Sequence, residues 1–337
     1  MLEPLLKVEG LDVSFGSQNG LLKVVENVSF HVNPGEILCI VGESGSGKTV
    51  SLLSVLGLID PLTSKVAGSA LFKGEEILGR SQKELRRIRG REIGFISQDP
   101  MTALTPVHTI GWQITEQLRT HTGLSNRAAW SRAIELLGEV GIPSPRQLVE
   151  RYPHQLSGGM RQRAVIAMAL SCNPALLIAD EPTTALDVTV QAQVLDLLHR
   201  LRKDFGSSIV LITHDMGVVA EMADRVMVMY AGRVVEHGPR DPVFLEPWHP
   251  YTWGLLNSIP PLAGPRPDRL VSIPGAPPQP GHWPIGCKFA PRCHSRFEAC
   301  SMAPPWRETN ERAALCFLNE AERTAARASN VSEYTPS

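Results

Sequence analysis

The stretch Ile37–Thr49 reads ILCIVGESGSGKT, and it decides the fold. Its five apolar residues, Ile37–Val41, predict a short buried strand. The next eight residues, Gly42 to Thr49, fit the pattern G-x-x-x-x-G-K-[ST]. Helical spacing follows over Thr49–Ile59. The glycine-rich turn therefore joins a strand to a helix, which is the context that a phosphate-binding loop requires.

This loop supplies the groups that hold a triphosphate. Lys48 is placed to reach the β- and γ-phosphates, and Thr49 is placed to give its hydroxyl to Mg²⁺. The positive end of the following helix dipole adds to the attraction. Backbone N–H groups can face one concavity because the loop is rich in glycine. We expect the nucleotide to contact four further loop residues, which are Gly42, Ser44, Gly45 and Gly47.

Residues 1–240 predict an α/β domain, because strand-like and helix-like patterns alternate along them. The expected strands, of which the first two are antiparallel, are Lys7–Phe15, Val24–Val32, Ile37–Val41, Ile93–Ser97, Leu176–Ala179, Ile209–Thr213, Arg225–Tyr230 and Arg233–Val235. The expected helices are Thr49–Ile59, Thr109–Thr120, Asn126–Val140, Ser157–Ser171 and Val188–Phe205. Since the pattern is helical from about residue 100 to 172, we expect a helical subdomain inserted there.

Two acidic residues end the apolar run Leu176–Ala179. Asp180 would hold Mg²⁺ through water, and Glu181 would polarise the attacking water as a general base. Two acids after a strand are often only a solvated turn. Together with the phosphate loop, however, they predict the carboxylates of an ATP-hydrolysing site.

The run Leu156–Arg163 reads LSGGMRQR and resembles the signature motif of ATP-binding-cassette (ABC) ATPases. Ser157 can cap a helix, and Gly158 and Gly159 leave the backbone N–H groups of its first turn open to an anion. An ordinary helix cap is the alternative. The resemblance implies an ABC-type nucleotide-binding domain in which this helix start faces the γ-phosphate held by a partner chain.

Other residues match the same family over about residues 5–240. The resemblance implies that Gln98 senses the γ-phosphate and Mg²⁺ and couples to membrane subunits. It implies that the run Thr184–Asp187 crosses the dimer interface, with Asp187 near the nucleotide. It also implies that His214 contacts the γ-phosphate, although a histidine there could be structural. Phe15 resembles the aromatic residue that stacks on adenine, although an aromatic side chain in a strand is commonly part of the core.

Four stretches narrow the resemblance to the dipeptide and oligopeptide importers of bacteria, over about residues 5–320. They are GESGSGKT at 42–49, QDPMTAL at 98–104, DEPTTALDV at 180–188 and HPYT at 249–252. The sequence departs from the family pattern at two positions. Thr105 precedes Pro106 where asparagine is usual, and His294 follows Cys293 where proline is common. Members with nearly the same motifs serve nickel, glutathione or antimicrobial peptides instead.

The resemblance also implies a set of partners. They are a paralogous ABC ATPase subunit that forms a heterodimer with this chain, two integral membrane permease subunits and an extracytoplasmic substrate-binding protein. The rival hypotheses are a soluble cassette ATPase acting on DNA or ribosomes and a non-catalytic regulatory cassette. The first would carry two cassettes or a long coiled-coil insertion, and this sequence shows neither. The second is opposed by the intact catalytic motifs, which include Lys48, Asp180, Glu181 and His214.

Composition limits where the protein works. The 337 residues carry a formal net charge of −1 and no basic tract, which argues against nucleic acid as the main partner. No apolar stretch approaches the ~20 residues that span a bilayer, and the N-terminus lacks the features of a signal peptide. We expect a peripheral protein on the cytoplasmic face of the inner membrane.

The region after Gly238 changes in composition, because prolines become dense over residues 239–305 and exclude long regular elements. We expect a C-terminal region over 241–320 and a flexible tail over 321–337. Four cysteines lie in this region, at Cys287, Cys293, Cys300 and Cys316. They lack the paired C-x2-C spacing usual for zinc, so an iron–sulfur cluster, a zinc ion, disulfides and free thiols all remain open. The family resemblance implies a structural [4Fe–4S] cluster, with Zn²⁺ as the alternative.

Overall fold

The structure is a computed structural model that describes residues 3–18, 20–184, 186–258 and 273–332, without the side chains of Phe205 and of residues 328–332. Its strands are β1 (Leu6–Ser17), β2 (Gly20–Val32), β3 (Ile37–Val41), β4 (Ser64–Phe72), β5 (Glu75–Glu76), β6 (Ile93–Ile96), β7 (Leu176–Asp180), β8 (Ser208–Thr213), β9 (Arg225–Tyr230), β10 (Arg233–Pro239), β11 (Trp306–Glu308) and β12 (Ala313–Leu315). Its helices are α1 (Lys48–Val55), α2 (Gln82–Ile88), α3 (Pro100–Ala103), α4 (Ile110–Thr122), α5 (Asn126–Glu139), α6 (Pro145–Leu148), α7 (Gly158–Leu170), α8 (Val188–Phe205), α9 (Met216–Met222), α10 (Arg240–Leu245), α11 (Pro250–Asn257) and α12 (Glu320–Ser332). Short 3-10 turns lie at Pro153–Gln155, Ala290–Arg292 and Glu298–Ser301.

The core sheet has eight strands in the order β11-β12-β10-β9-β3-β8-β7-β6. The five strands from β9 to β6 are parallel. Every residue of β3, β7 and β8 is buried, as expected for strands covered on both faces. Since parallel strands end at one edge of the sheet, the loops that follow β3, β6, β7 and β8 come together there. These loops carry the predicted nucleotide-binding residues.

A second sheet is antiparallel, with the order β2-β1-β4-β5. It confirms the two N-terminal strands that the alternating pattern predicts. The apolar side chains of β1, among them Leu6, Val8 and Val13, join one buried cluster with Leu38 and Ile40 of β3. This sheet therefore covers the face of the core sheet on which α1 also packs. The strands β4 and β5 and the helix α2 were not predicted.

Helices α3 to α7 lie between β6 and β7 in the sequence, and they form the helical insertion expected over about 100–172. The N-caps of α4, α5 and α7 are Thr109, Ser125 and Ser157, whose hydroxyls each accept a backbone N–H of the first turn. Such capping fixes where each helix begins, and the three predicted helices begin within a residue of these positions.

The C-terminal region is part of the core sheet and does not stand apart from it. Strand β12 pairs with β10, and β11 pairs with β12. The tail predicted to be flexible over 321–337 is helical in its described part, since α12 runs from Glu320 to Ser332. Arg323 is buried and its guanidinium stacks on Trp248, with 4.2 Å between its central carbon and the ring centre. Because this contact of α12 is made by an arginine, the pattern of apolar residues could not predict that the helix packs here. Residues 333–337 lie outside the described residues.

Candidate nucleotide-binding site

The phosphate loop follows β3 and leads directly into α1. Gly42, Gly45 and Gly47 have φ angles of 150°, 79° and 98°, which side-chain-bearing residues rarely adopt. A Cβ on Gly42 would lie 2.1 Å from the backbone oxygen of Met229, so only glycine fits there. The loop is thus shaped by local backbone sterics and by the strand β9 beside it.

Lys48 begins α1 and is almost fully buried. Its Nζ donates to the backbone oxygens of Gly42, at 2.7 Å, and Glu43, at 3.0 Å. Burial lowers the pKa of Lys48, and the carboxylates of Glu181 and Asp180 oppose this shift. The loop therefore encloses a buried cation, the group that a nucleotide phosphate would pair with.

Thr49 and Asp180, the two residues predicted to serve Mg²⁺, lie side by side. The hydroxyl of Thr49 donates to Oδ1 of Asp180 over 3.1 Å. Asp180 is the last residue of β7 and is buried. Burial raises the pKa of Asp180, against the hydrogen bond from Thr49. A hydroxyl and a carboxylate at the mouth of the loop are oxygen ligands of the kind that Mg²⁺ prefers.

Glu181 is the centre of a hydrogen-bond network that joins three separate loops. Its Oε2 accepts from Gln98 Nε2 and from Thr184 Oγ1, both at 2.9 Å. Its Oε1 lies 3.2 Å from His214 Nδ1. The structure thus brings together the three residues predicted to be catalytic, Glu181, Gln98 and His214. Thr184 is an additional partner of Glu181, and its position in the run after β7 was the only sequence signal for it.

Burial and hydrogen bonding shift the pKa of Glu181 in opposite directions. Burial raises its pKa, but the hydrogen bonds from His214 and Thr184 outweigh burial, and the net shift of its pKa is downward. The carboxylate is therefore ionised at neutral pH. Its backbone φ is +45°, a conformation that costs free energy for a residue with a side chain. Strain of this kind at a residue with three side-chain partners is typical of functional positions.

The signature residues lie beside the start of α8. Ser157 caps α7 by accepting from the N–H of Met160, and Asp187 caps α8 by accepting from the N–H of Val190. A Cβ on Gly159 would lie 3.0 Å from Val190, whereas one on Gly158 would meet nothing within 4 Å. Within the described residues, no hydrogen bond joins this pair of helix starts to the phosphate loop of the same chain.

Phe15 is half-buried on β1. It shares a strand face with Val13, which pairs with Val25, and Val25 lies 3.3 Å from the position of a Cβ on Gly47. Phe15 is therefore on the strand face that borders the phosphate loop. Its role in stacking on a base remains a prediction.

The four clustered cysteines line one cavity in the C-terminal region. Cys287, Cys293, Cys300 and Cys316 surround it together with aromatic side chains that include Phe289, Phe297 and Phe317. Burial raises the pKa of Cys293 to about 12 and that of Cys316 to about 11. None of the four forms a disulfide. In the part of the chain that the structure describes, no group of three or more His, Cys, Asp or Glu side chains is arranged to hold a metal ion.

A search of the described helices for a membrane span gives none that is both long and apolar enough to cross a bilayer. Large apolar side chains are nevertheless exposed in and beside the helical insertion. Met101, Val107 and Trp112 expose 47%, 72% and 45% of their surface. All three follow Gln98 by fewer than 15 residues.

Comparison with known proteins agrees with this geometry. Residues 25–184 match the profile of the ABC transporter family, and residues 235–300 match that of the oligopeptide/dipeptide transporter C-terminal region. A candidate peptide import ATP-binding protein of Brucella abortus is 51% identical over 314 residues, which are 93% of this chain and 94% of that one. A relative of the same description from Brucella ovis is 50% identical over 321 residues, with 92% and 95% coverage.

Among solved structures, the dimeric post-hydrolysis state of the ATP-binding cassette MJ0796, bound to ADP and Pi, superimposes with a TM-score of 0.63. It is 28% identical and covers 70% of this chain and 98% of its own. The fold, the assembled site and these relatives lead to one conclusion. The chain is an ABC-type ATPase, and it belongs to the family of ABC transporter ATP-binding subunits with the oligopeptide/dipeptide C-terminal region.

Proposed function

We propose that this chain binds Mg²⁺–ATP on the loop Gly42–Thr49 and hydrolyses it to power the import of dipeptides or oligopeptides. The observation that carries the proposal is the convergence of Gln98, Thr184 and His214 on Glu181. It leaves an ionised carboxylate beside the loop, with its position fixed by three partners. A water molecule held between Glu181 and the γ-phosphate would lose its proton to this carboxylate as it attacks.

Hydrolysis requires a second chain. The start of α7 at Gly158 is unobstructed, and among the described residues it makes no hydrogen bond to its own phosphate loop, so the N–H groups of Gly158 and Gly159 are available to another molecule. The likeness to a cassette dimer bound to ADP and Pi supports a head-to-tail pair in which Ser157 and Gly158 of one subunit face the γ-phosphate held by the other. ATP then favours the closed pair, and loss of phosphate reopens it.

The partner is a paralogous ATPase subunit, and the pair docks on two permease subunits at the cytoplasmic face of the membrane. The exposed Met101, Val107 and Trp112 form a docking surface for the permeases, close in sequence to Gln98. Closure of the ATPase pair can therefore be passed on through the residue that also contacts Glu181. A substrate-binding protein outside the membrane delivers the peptide.

The transported substrate is a peptide in this proposal. Within the peptide importers, the chain resembles most the D subunit of the dipeptide permease. Two relatives near 50% identity carry peptide import in their description, and a profile for oligopeptide and dipeptide transporters matches residues 235–300. The test is uptake of labelled di- and tripeptides by the complex reconstituted in vesicles. ATP-dependent uptake by the intact complex, lost with Lys48→Ala, is the expected result. Uptake of nickel or glutathione in place of peptides would overturn the substrate assignment.

The four cysteines hold a structural [4Fe–4S] cluster in this proposal. Four cysteines line one cavity, and a cluster of this kind takes one thiolate on each iron, so the residue types suit it. The described side chains are not themselves arranged to hold a metal ion. When bound, it would crosslink a proline-rich region that has few regular elements of its own. The test is metal and sulfide analysis of the purified full chain and of Cys316→Ser. Equal iron and sulfide in the wild type, reduced in the variant, is expected. If the analysis finds zinc and no iron, the site holds zinc and the cluster assignment is wrong.

A further inference from the structure

Glu43, the second residue of the phosphate loop, is held at all of its polar groups by the protein itself. Its backbone N–H donates to the phenolic oxygen of Tyr251 over 2.8 Å. Its backbone oxygen accepts from Lys48. Its carboxylate receives both terminal nitrogens of Arg292, at 2.6 and 2.9 Å. Two of these partners, Tyr251 and Arg292, belong to the C-terminal region and lie more than 200 residues away in the sequence.

Arg292 is buried and is held in this position by several hydrogen bonds. Only 6% of its side chain is exposed. Besides Glu43, it donates to the backbone oxygens of Pro274, at 2.7 Å, and Gly275, at 3.2 Å. It also lies 3.4 Å from the hydroxyl of Tyr230. A bidentate pair between a guanidinium and a carboxylate restricts orientation as well as distance, so this contact fixes the side chain of Glu43.

A second contact runs from the same segment to the other side of the loop. Lys288 donates to the backbone oxygen of Ala231 over 2.7 Å, and its Nζ lies 3.1 Å from the centre of the Trp283 ring. The next residue, Gly232, donates its N–H to the backbone oxygen of Ser46 in the phosphate loop. Residues 287–293 therefore brace the loop directly at Glu43 and indirectly at Ser46.

We infer that Arg292 and Tyr251 are positioning residues for ATP binding. They act through Glu43, holding the first turn of the phosphate loop in the shape that receives a triphosphate. The C-terminal region thereby sets the nucleotide affinity of a site to which it contributes no ligand. The inference rests on the proposed ATP site at Gly42–Thr49. It assigns to the segment before Cys293 a function separate from any metal or cluster at the cysteines.

The test measures binding of a fluorescent ATP analogue to the full chain, with Mg²⁺, for three substitutions. Arg292→Met leaves the Glu43 carboxylate half-buried and unpaired, so we expect affinity to fall about tenfold or more. Tyr251→Phe removes only the acceptor of the Glu43 N–H, and we expect a smaller loss of about threefold. The double variant Glu43→Gln with Arg292→Met removes the stranded charge and should recover part of the affinity.

Arg312→Met is the matched control. Arg312 pairs with Glu236 over 3.3 Å in the same C-terminal region and is nearly as deeply buried as Arg292, but among the described residues it makes no hydrogen bond or ion pair with the phosphate loop. It should lower thermal stability at least as much as Arg292→Met, because the Glu236 carboxylate that it leaves unpaired is fully buried, while leaving nucleotide affinity unchanged. If the two variants lose stability and affinity in parallel, or if both Arg292→Met and Tyr251→Phe bind ATP normally, Arg292 and Tyr251 are structural only.

Lys48→Ala separates this inference from the proposed site. Loss of binding in Lys48→Ala with normal binding in the Arg292 and Tyr251 variants overturns the inference and keeps the site. Unchanged binding in Lys48→Ala overturns the site itself.

Discussion

The substitution Glu181→Gln tests whether the carboxylate acts as a base or only as a hydrogen-bond acceptor. In the structure, Oε2 accepts from Gln98 and Thr184, and Oε1 faces His214 Nδ1. A glutamine can place its oxygen at the Oε2 position and keep the first two bonds. Its amide can then donate to His214 in the tautomer whose Nδ1 is unprotonated. The network is preserved, and only the ability to take a proton is lost.

The expected effect is therefore on chemistry and not on folding. A positioned general base contributes about 10²–10⁴ in rate, equivalent to about 2.7–5.5 kcal/mol of barrier. We expect kcat for ATP hydrolysis to fall by that factor, with the melting temperature and ATP affinity close to those of the wild type. ATP should then hold the ATPase pair closed, because the contact that hydrolysis removes persists.

The assay is steady-state phosphate release by the assembled complex, together with nucleotide binding and size measurement of the ATP-bound pair. Glu221→Gln provides the matched control, since Glu221 is an exposed residue of α9 and the same chemical change there should leave turnover unchanged. Turnover by Glu181→Gln within a few-fold of the wild type would refute the assignment of Glu181 as the base.

Two further predictions concern the loop and the core sheet. Gly42→Ala should destabilise the fold by about 2–5 kcal/mol, because it adds left-handed backbone strain and overlaps the backbone oxygen of Met229. Gly45→Ala meets no atom within 4 Å and should cost only about 1–2 kcal/mol. Equal losses of stability for the two variants in urea denaturation would contradict the close approach at Gly42. Burial lowers the pKa of His237 from its ordinary 6.5 to about 4, so the unfolded chain binds more protons than the folded chain between these values. Stability should therefore fall as pH drops from 6.5 to 4, by up to about 1.4 kcal/mol per unit from this group, and His237→Gln should flatten that slope in denaturation curves at pH 7, 6 and 5; an unchanged slope would rule out this source.

Much of the site was predictable because its residues follow strands. The runs Ile37–Val41 and Leu176–Ala179 are apolar throughout, and each ends at the residues that carry the chemistry. In a parallel sheet these ends share one edge, so the phosphate loop and Glu181 had to meet. The contact of His214 and Gln98 with Glu181 follows from the same rule.

The C-terminal region was less predictable from its sequence. Its prolines correctly excluded long elements, but they gave no sign that β12 would extend the core sheet at β10. The helix α12 is held by Arg323 stacked on Trp248, and a buried arginine has the same sequence signal as an exposed one. The brace from Arg292 to Glu43 was invisible for the same reason.

The sequence by itself determined the phosphate loop, the acidic pair and the signature helix, because each is a local pattern of glycines, caps and apolar runs whose geometry depends on neighbouring residues. Only the tertiary structure decided which distant side chains fix those patterns in place. Glu43 meets Arg292 across 249 positions, and its backbone N–H meets Tyr251 across 208. Such pairings depend on how the sheet and its C-terminal extension pack in three dimensions, and charge or polarity along the chain carries no record of that packing.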